Sequence, residues 1–115
     1  MQITAVNKEI KDWSGSVLIA GVLEGGIDGQ INLFKTIIKE SFLRERFNDA
    51  KFEGKKNQTL AIELIEGEIK KIVFIGLGKA ENLLIDDLRK AASIGTRQAH
   101  GHKGTLGIFF PWDAF

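Results

Sequence analysis

The chain reads as an α/β domain: a mixed β-sheet flanked by helices. Two observations lead there. First, Val17-Leu18-Ile19-Ala20-Gly21-Val22 and Ile72-Val73-Phe74-Ile75 are unbroken apolar runs, and each leads into glycines. Both side-chain directions of such a run are apolar, so the strand is buried on two faces and needs cover on each. Second, the apolar period switches twice to spacings of three and four, the signature of a helix face. The predicted order is β–β–α–β–β–α–β.

Taken in order, residues 3–6 form a short first strand. Residues 8–16 are polar and hold Trp13 and Gly15, a loop with one aromatic anchor. The strand over 17–22 ends at Glu24-Gly25-Gly26-Ile27-Asp28-Gly29, whose three glycines break the pattern. A single helix is expected over residues 31–43, because Ile31, Phe34, Ile38 and Phe42, with Ile37 beside them, share one face. Residues 47–58 are charged, carry Gly54 and read as a loop. From 59 to 65, Leu60, Ile62 and Leu64 alternate with Thr59 and Glu63, a strand with one wet face. Glu66-Gly67-Glu68 is a turn, so this strand and the next pair antiparallel. That next strand runs from Lys71 into Gly76-Leu77-Gly78-Lys79. The second helix starts between Asn82 and Asp86 and buries Ile85, Leu88, Ala92, Gly95 and Ala99. Asp86 and Asp87 lie at its positive end, Arg97 and His100 at its negative end, and Gly101 stops it. Residues 105–110 form the last strand.

Composition bounds the function. The 115 residues suit one domain. There is no cysteine, which removes disulfides and thiolate metal sites. A net charge of +1 is not that of a dedicated nucleic-acid binder. No apolar run approaches the roughly 20 residues that span a bilayer, and no signal peptide opens the chain, so the cytoplasm is expected. The end, Ile108-Phe109-Phe110-Pro111-Trp112-Asp113-Ala114-Phe115, is aromatic. Either the chain is the front of something longer, or Trp112 and Phe115 fold back onto it.

Four features invite chemistry. Gly76-Leu77-Gly78-Lys79 follows a buried strand, where α/β folds hold ligands. It completes neither the P-loop nor the dinucleotide fingerprint, and a tight strand exit explains its glycines. Glu24-Gly25-Gly26 could cradle an anion through backbone amides, but Glu24 and Asp28 add negative charge there. His100-Gly101-His102 offers two zinc-type ligands without a third nearby. Lys51, Lys55 and Lys56 surround Phe52, a nucleic-acid cue diluted by Asp49 and Glu53. No serine has a histidine and an acid at triad spacing.

An ordered set of motifs carries a resemblance. Trp13-Ser14-Gly15 leads into an apolar strand and Glu24-Gly25. Phe52-Glu53-Gly54-Lys55 follows the first helix. Ile75-Gly76-Leu77-Gly78-Lys79 and Leu88-Arg89-Lys90-Ala91-Ala92 come next, with Arg97 beyond. From about Trp13 to Pro111 the chain resembles the N-terminal domain of the leucyl (cytosol) aminopeptidase family. Asn57 departs from it, standing where the family often has glycine. The resemblance implies a macro-domain-like three-layer fold and a single domain over residues 1–115. It implies a parent protein, a hexamer, in which a following catalytic domain removes N-terminal residues from peptides. That chemistry uses two divalent ions, zinc or manganese, around an Asn-Thr-Asp-Ala-Glu-Gly-Arg motif. The motif is absent here, and no residue of this chain maps onto a catalytic, cofactor-binding or metal-binding position, so the piece itself is expected to be inactive. Its partners would be its own catalytic domain and its symmetry copies. The alternatives are a macro-like module for ADP-ribose or a nucleotide, and a weak nucleic-acid-binding domain.

Overall fold

A computed structural model describes residues 2–5, by their backbone, and residues 13–101 and 104–111. Its elements are β1 (Gln2–Ala5), β2 (Val17–Leu23), α1 (Ile27–Leu33), α2 (Glu40–Asp49), β3 (Thr59–Glu63), β4 (Lys71–Gly78), α3 (Ile85–Gln98) and β5 (Thr105–Phe109). The strands form one mixed sheet in the order β1-β5-β2-β4-β3. β1, β5, β2 and β4 run parallel, and β3 pairs antiparallel with β4 from Thr59↔Ile75 to Glu63↔Lys71. The hairpin expected around Glu66-Gly67-Glu68 is therefore present.

Alternation along the strands divides the core in two. Leu18, Ala20, Leu60, Ile62, Ile72 and Phe74 face α1 and α2, where Phe34, Leu43 and Phe47 meet them. The rings of Phe34 and Phe47 stand edge-on to Phe74 at 5.2 and 5.0 Å between centroids, the preferred geometry for aromatic pairs. On the other face Val17, Ile19, Val73, Ile75, Leu77 and Leu106 pack under Leu88, Ala91 and Ala99. Both faces are thus covered, as the two apolar runs require. Gly95 sits where α3 crosses β2, and a Cβ there would come within 2.6 Å of the Ile19 side chain. The missing side chain lets helix and sheet approach closely.

Three expectations need correction. The helix expected over residues 31–43 is two helices. α1 ends at Leu33, turns follow, and Lys39 adopts φ −56°, ψ 130°, which no helix passes through. The face then restarts, so that Leu43 and Phe47 point inward at helical spacing while Phe42 is exposed. The segment read as loop from residue 47 still belongs to α2 as far as Asp49. In α3, Ile85 is exposed and Ala91 is buried in its place. Val6, His102, Trp112 and Phe115 lie outside the described residues.

Candidate functional site

Because β2 and β4 are parallel neighbours, both deliver their glycine loops to one edge of the sheet, where α/β folds place ligands. The segment 51–58 crosses that edge. A Cβ on Gly76 would fall on the carbonyl oxygen of Lys55, so only glycine fits beneath the crossing chain. Gly54 likewise has φ +86°, and a Cβ there would come within 2.6 Å of the Leu23 carbonyl oxygen.

The backbone donors of this edge are committed to one another. The Gly76 N–H donates to Gln58 O at 2.8 Å and the Gly78 N–H to Gly54 O at 2.9 Å. The Glu24 N–H donates to Gly78 O and the Gly26 N–H to Leu23 O, both at 2.9 Å. A phosphate cradle needs several convergent free amides. Here the amides of Glu24, Gly26, Gly76 and Gly78 bind chain to chain, and the two glycine loops form an interlock.

Gln58 closes that interlock. Its Oε1 accepts from the Glu53 and Lys55 N–H groups at 3.0 Å each, and its Nε2 donates to Lys51 O at 3.2 Å. Two non-glycine residues there adopt left-handed backbone, Lys51 with φ 54° and Asn57 with φ 71°. Asparagine tolerates this region better than most residues. Asn57 thus takes a conformation that glycine would adopt freely.

The basic patch around Phe52 is largely neutralised. Phe52 is buried and stacks on Phe47 at 5.3 Å. Lys55 Nζ pairs with Glu53 at 3.1 Å, and Lys56 Nζ with Asp87 Oδ1 at 3.3 Å. Asp87 also accepts the Leu84 N–H on Oδ2 at 3.0 Å and so caps α3 from its third residue. That backbone hydrogen bond, first of all, holds the Asp87 carboxyl below its ordinary pKa. Desolvation opposes the shift, and Lys56 and Lys90 reinforce it. The acids at this helix end are visible in sequence, but the reach of Asp87 back to Leu84 is not.

His100 is exposed beyond the end of α3. Among the described residues, no three His, Cys, Asp or Glu side chains are grouped to hold a metal. No helix among them is long and apolar enough to cross a membrane. At the opposite edge, Trp13, Thr36, Ile37 and the 66–69 hairpin line a cleft of about 390 Å³. The sequence offers the Trp13-Ser14-Gly15 motif and the Glu66-Gly67-Glu68 turn separately and gives no sign that they meet at a cleft. Trp13 is the buried anchor expected of its loop.

Residues 9–114 match the N-terminal domain of the cytosol aminopeptidase family. The whole chain is 44% identical to a probable cytosol aminopeptidase of Prochlorococcus marinus strain MIT 9211, and spans 23% of that relative's length. Over 98% of the chain it is 33% identical to the counterpart in strain MIT 9313, again spanning 23% of the relative. Among solved structures, a mutant of tomato leucine aminopeptidase superposes with a TM-score of 0.71 at 16% identity, covering 96% of this chain and 23% of that one. At that identity the superposition speaks for the fold.

Proposed function

This chain belongs to the cytosol aminopeptidase family, as its N-terminal domain, and from that membership we propose that it is the non-catalytic front domain of a metal-dependent leucyl aminopeptidase. Residues 1–115 form one domain in this reading. Removal of N-terminal amino acids from peptides takes place in a following catalytic domain, in the cytoplasm. There two divalent ions, zinc or manganese, activate water and polarise the scissile carbonyl. The front domain contributes structure and supports hexamer assembly.

One observation carries the reading. All 115 residues align at 44% identity with a protein named for this activity, yet cover only 23% of it. A further observation supports it. The amides of Glu24, Gly26, Gly76 and Gly78 already have carbonyl partners, which takes four backbone donors from the nucleotide-binding alternative.

The test compares the 115-residue chain with the longer polypeptide on leucyl-p-nitroanilide, with Mn²⁺ or Zn²⁺ present. Hydrolysis is expected from the longer protein alone. Metal-dependent turnover by the purified 115-residue chain would overturn the reading. Deleting residues 1–115 from the parent is expected to reduce its sedimentation coefficient by more than the lost mass accounts for.

A further inference from the structure

Among the described residues, five large apolar side chains are exposed: Leu33, Phe42, Ile65, Leu84 and Ile85. Only Leu84 and Ile85 are adjacent, at 64% and 57% exposure. Their position makes the exposure harder to explain. Leu84 is the N-cap residue of α3, with φ −119° and ψ 155°, and its side chain makes no capping hydrogen bond. Ser, Thr, Asp and Asn are the residues that serve there, and leucine is among the poorest. Leu83, one residue earlier, has a local role. It is partly buried against the core cluster that holds Leu88, in the position of a hydrophobic staple. Leu84 and Ile85 have none, and Asp87 has to supply the cap from inside the helix.

The fold places this pair after β4, at the edge of the sheet to which β5 also runs. β4, which feeds α3, and β5, which ends the sheet, flank β2 and run parallel to it. Their ends therefore emerge at the same edge, about 10 Å apart. Phe110 and Leu77 converge over Gly21, where a Cβ would lie 2.7 Å from each. More than three quarters of the relatives' length lies outside the matched region, and the match is to an N-terminal domain. In the proposed parent, the polypeptide that continues the chain follows β5, which runs to this edge. Ion pairs of Asp86 with Lys90 and of Lys56 with Asp87 stand next to Leu84 and Ile85, giving an apolar centre with a charged rim, as at protein interfaces.

We propose that Leu84 and Ile85 are the anchors by which this domain docks against the catalytic polypeptide joined to its C-terminal end. The inference rests on the proposed function, which requires that such a polypeptide exists. It explains why a capping position carries an exposed leucine: the side chain faces a neighbour that the isolated domain lacks.

The experiment uses Leu84→Ser and the double change with Ile85→Ser, in the 115-residue chain and in the longer protein. Serine is a favoured N-cap, and its helix propensity matches that of isoleucine. In the 115-residue chain the urea midpoint should stay level or rise. In the longer protein, proteolytic nicking between the domains should accelerate roughly tenfold, because it follows the undocked population. A role confined to the helix would move both proteins in the same direction. Ile65→Ser, at the opposite edge, should leave nicking unchanged. Unaltered nicking in the double variant overturns the proposal. So does a 115-residue chain that sediments as a dimer and becomes monomeric on substitution, since the occupant would then be a second copy. A coding sequence that stops at Phe115 removes both the docking and the aminopeptidase reading. Accelerated nicking in a longer protein without peptidase activity supports the docking and counts against the enzymatic reading alone.

Discussion

At Gly76 the backbone of 51–58 lies so close that no side chain can be added without moving the main chain. Gly76→Ala should therefore destabilise the domain by about 3 kcal/mol, at the upper end of overpacking costs. A shift in the urea-derived stability below about 0.5 kcal/mol, the scatter of ordinary surface changes, would mean that the crossing is not as close as described. Asp87 gives a prediction in pH. Its folded-state pKa is depressed, so its contribution is present above the unfolded value near 3.8 and is lost as pH falls toward the folded one. Asp87→Asn should lower the urea midpoint at pH 7, and the gap to the unmodified chain should close below about pH 4. A gap that does not narrow at all as the pH falls below about 4 would show that the carboxylate charge is not its source. Sequence marks Gly76 as a strand exit, which it is. It does not show that the neighbour is the Lys55 carbonyl, because that contact joins segments far apart in the chain. Gln58 is silent in sequence for the same reason: its three hydrogen bonds exist only once the segment has folded back on itself.

Elements buried on both faces are the most legible. β2 and β4 are continuous apolar runs, and no other arrangement hides both of their faces. The β3–β4 hairpin follows from alternation and a glycine turn. Failure comes where a helical period continues in sequence across a break in the backbone. Ile31, Phe34 and Ile38 are all buried, although the chain is no longer in α1 after Leu33. Their spacing therefore gives no sign of the interruption, and it assigns Phe42 to a face that Leu43 occupies. A paired substitution tests the observed register. Leu43→Ala should cost about 2–5 kcal/mol, the range for emptying a core leucine site, while Phe42→Ala should cost less than about 1 kcal/mol. Equal losses in urea unfolding would restore the single helix.

Over the whole molecule, the sheet order separates what is near in sequence from what is near in space. β1 and β2 are consecutive, yet β5 lies between them. Gln2 pairs with Thr105, and Val17 pairs with Leu106 on the other side. A chain ending at residue 104 should accordingly lose cooperative unfolding, since β1 would have no neighbour and Val17 and Ile19 would lose the cover of Leu106. A sharp, single urea transition in that truncated chain would contradict the central place of β5. Strand order of this kind is poorly legible in sequence, because several orders satisfy the same burial pattern. The family resemblance is legible because it rests on an ordered set of short motifs, which the match over residues 9–114 bears out.

The late insertion of β5 also sets a timetable for biosynthesis. A ribosome adds about 5–20 residues per second, so β1 waits several seconds for its only neighbour in the sheet to be translated and cleared from the exit tunnel. Through that interval β2 presents an open apolar edge, the kind of surface that nascent-chain chaperones bind.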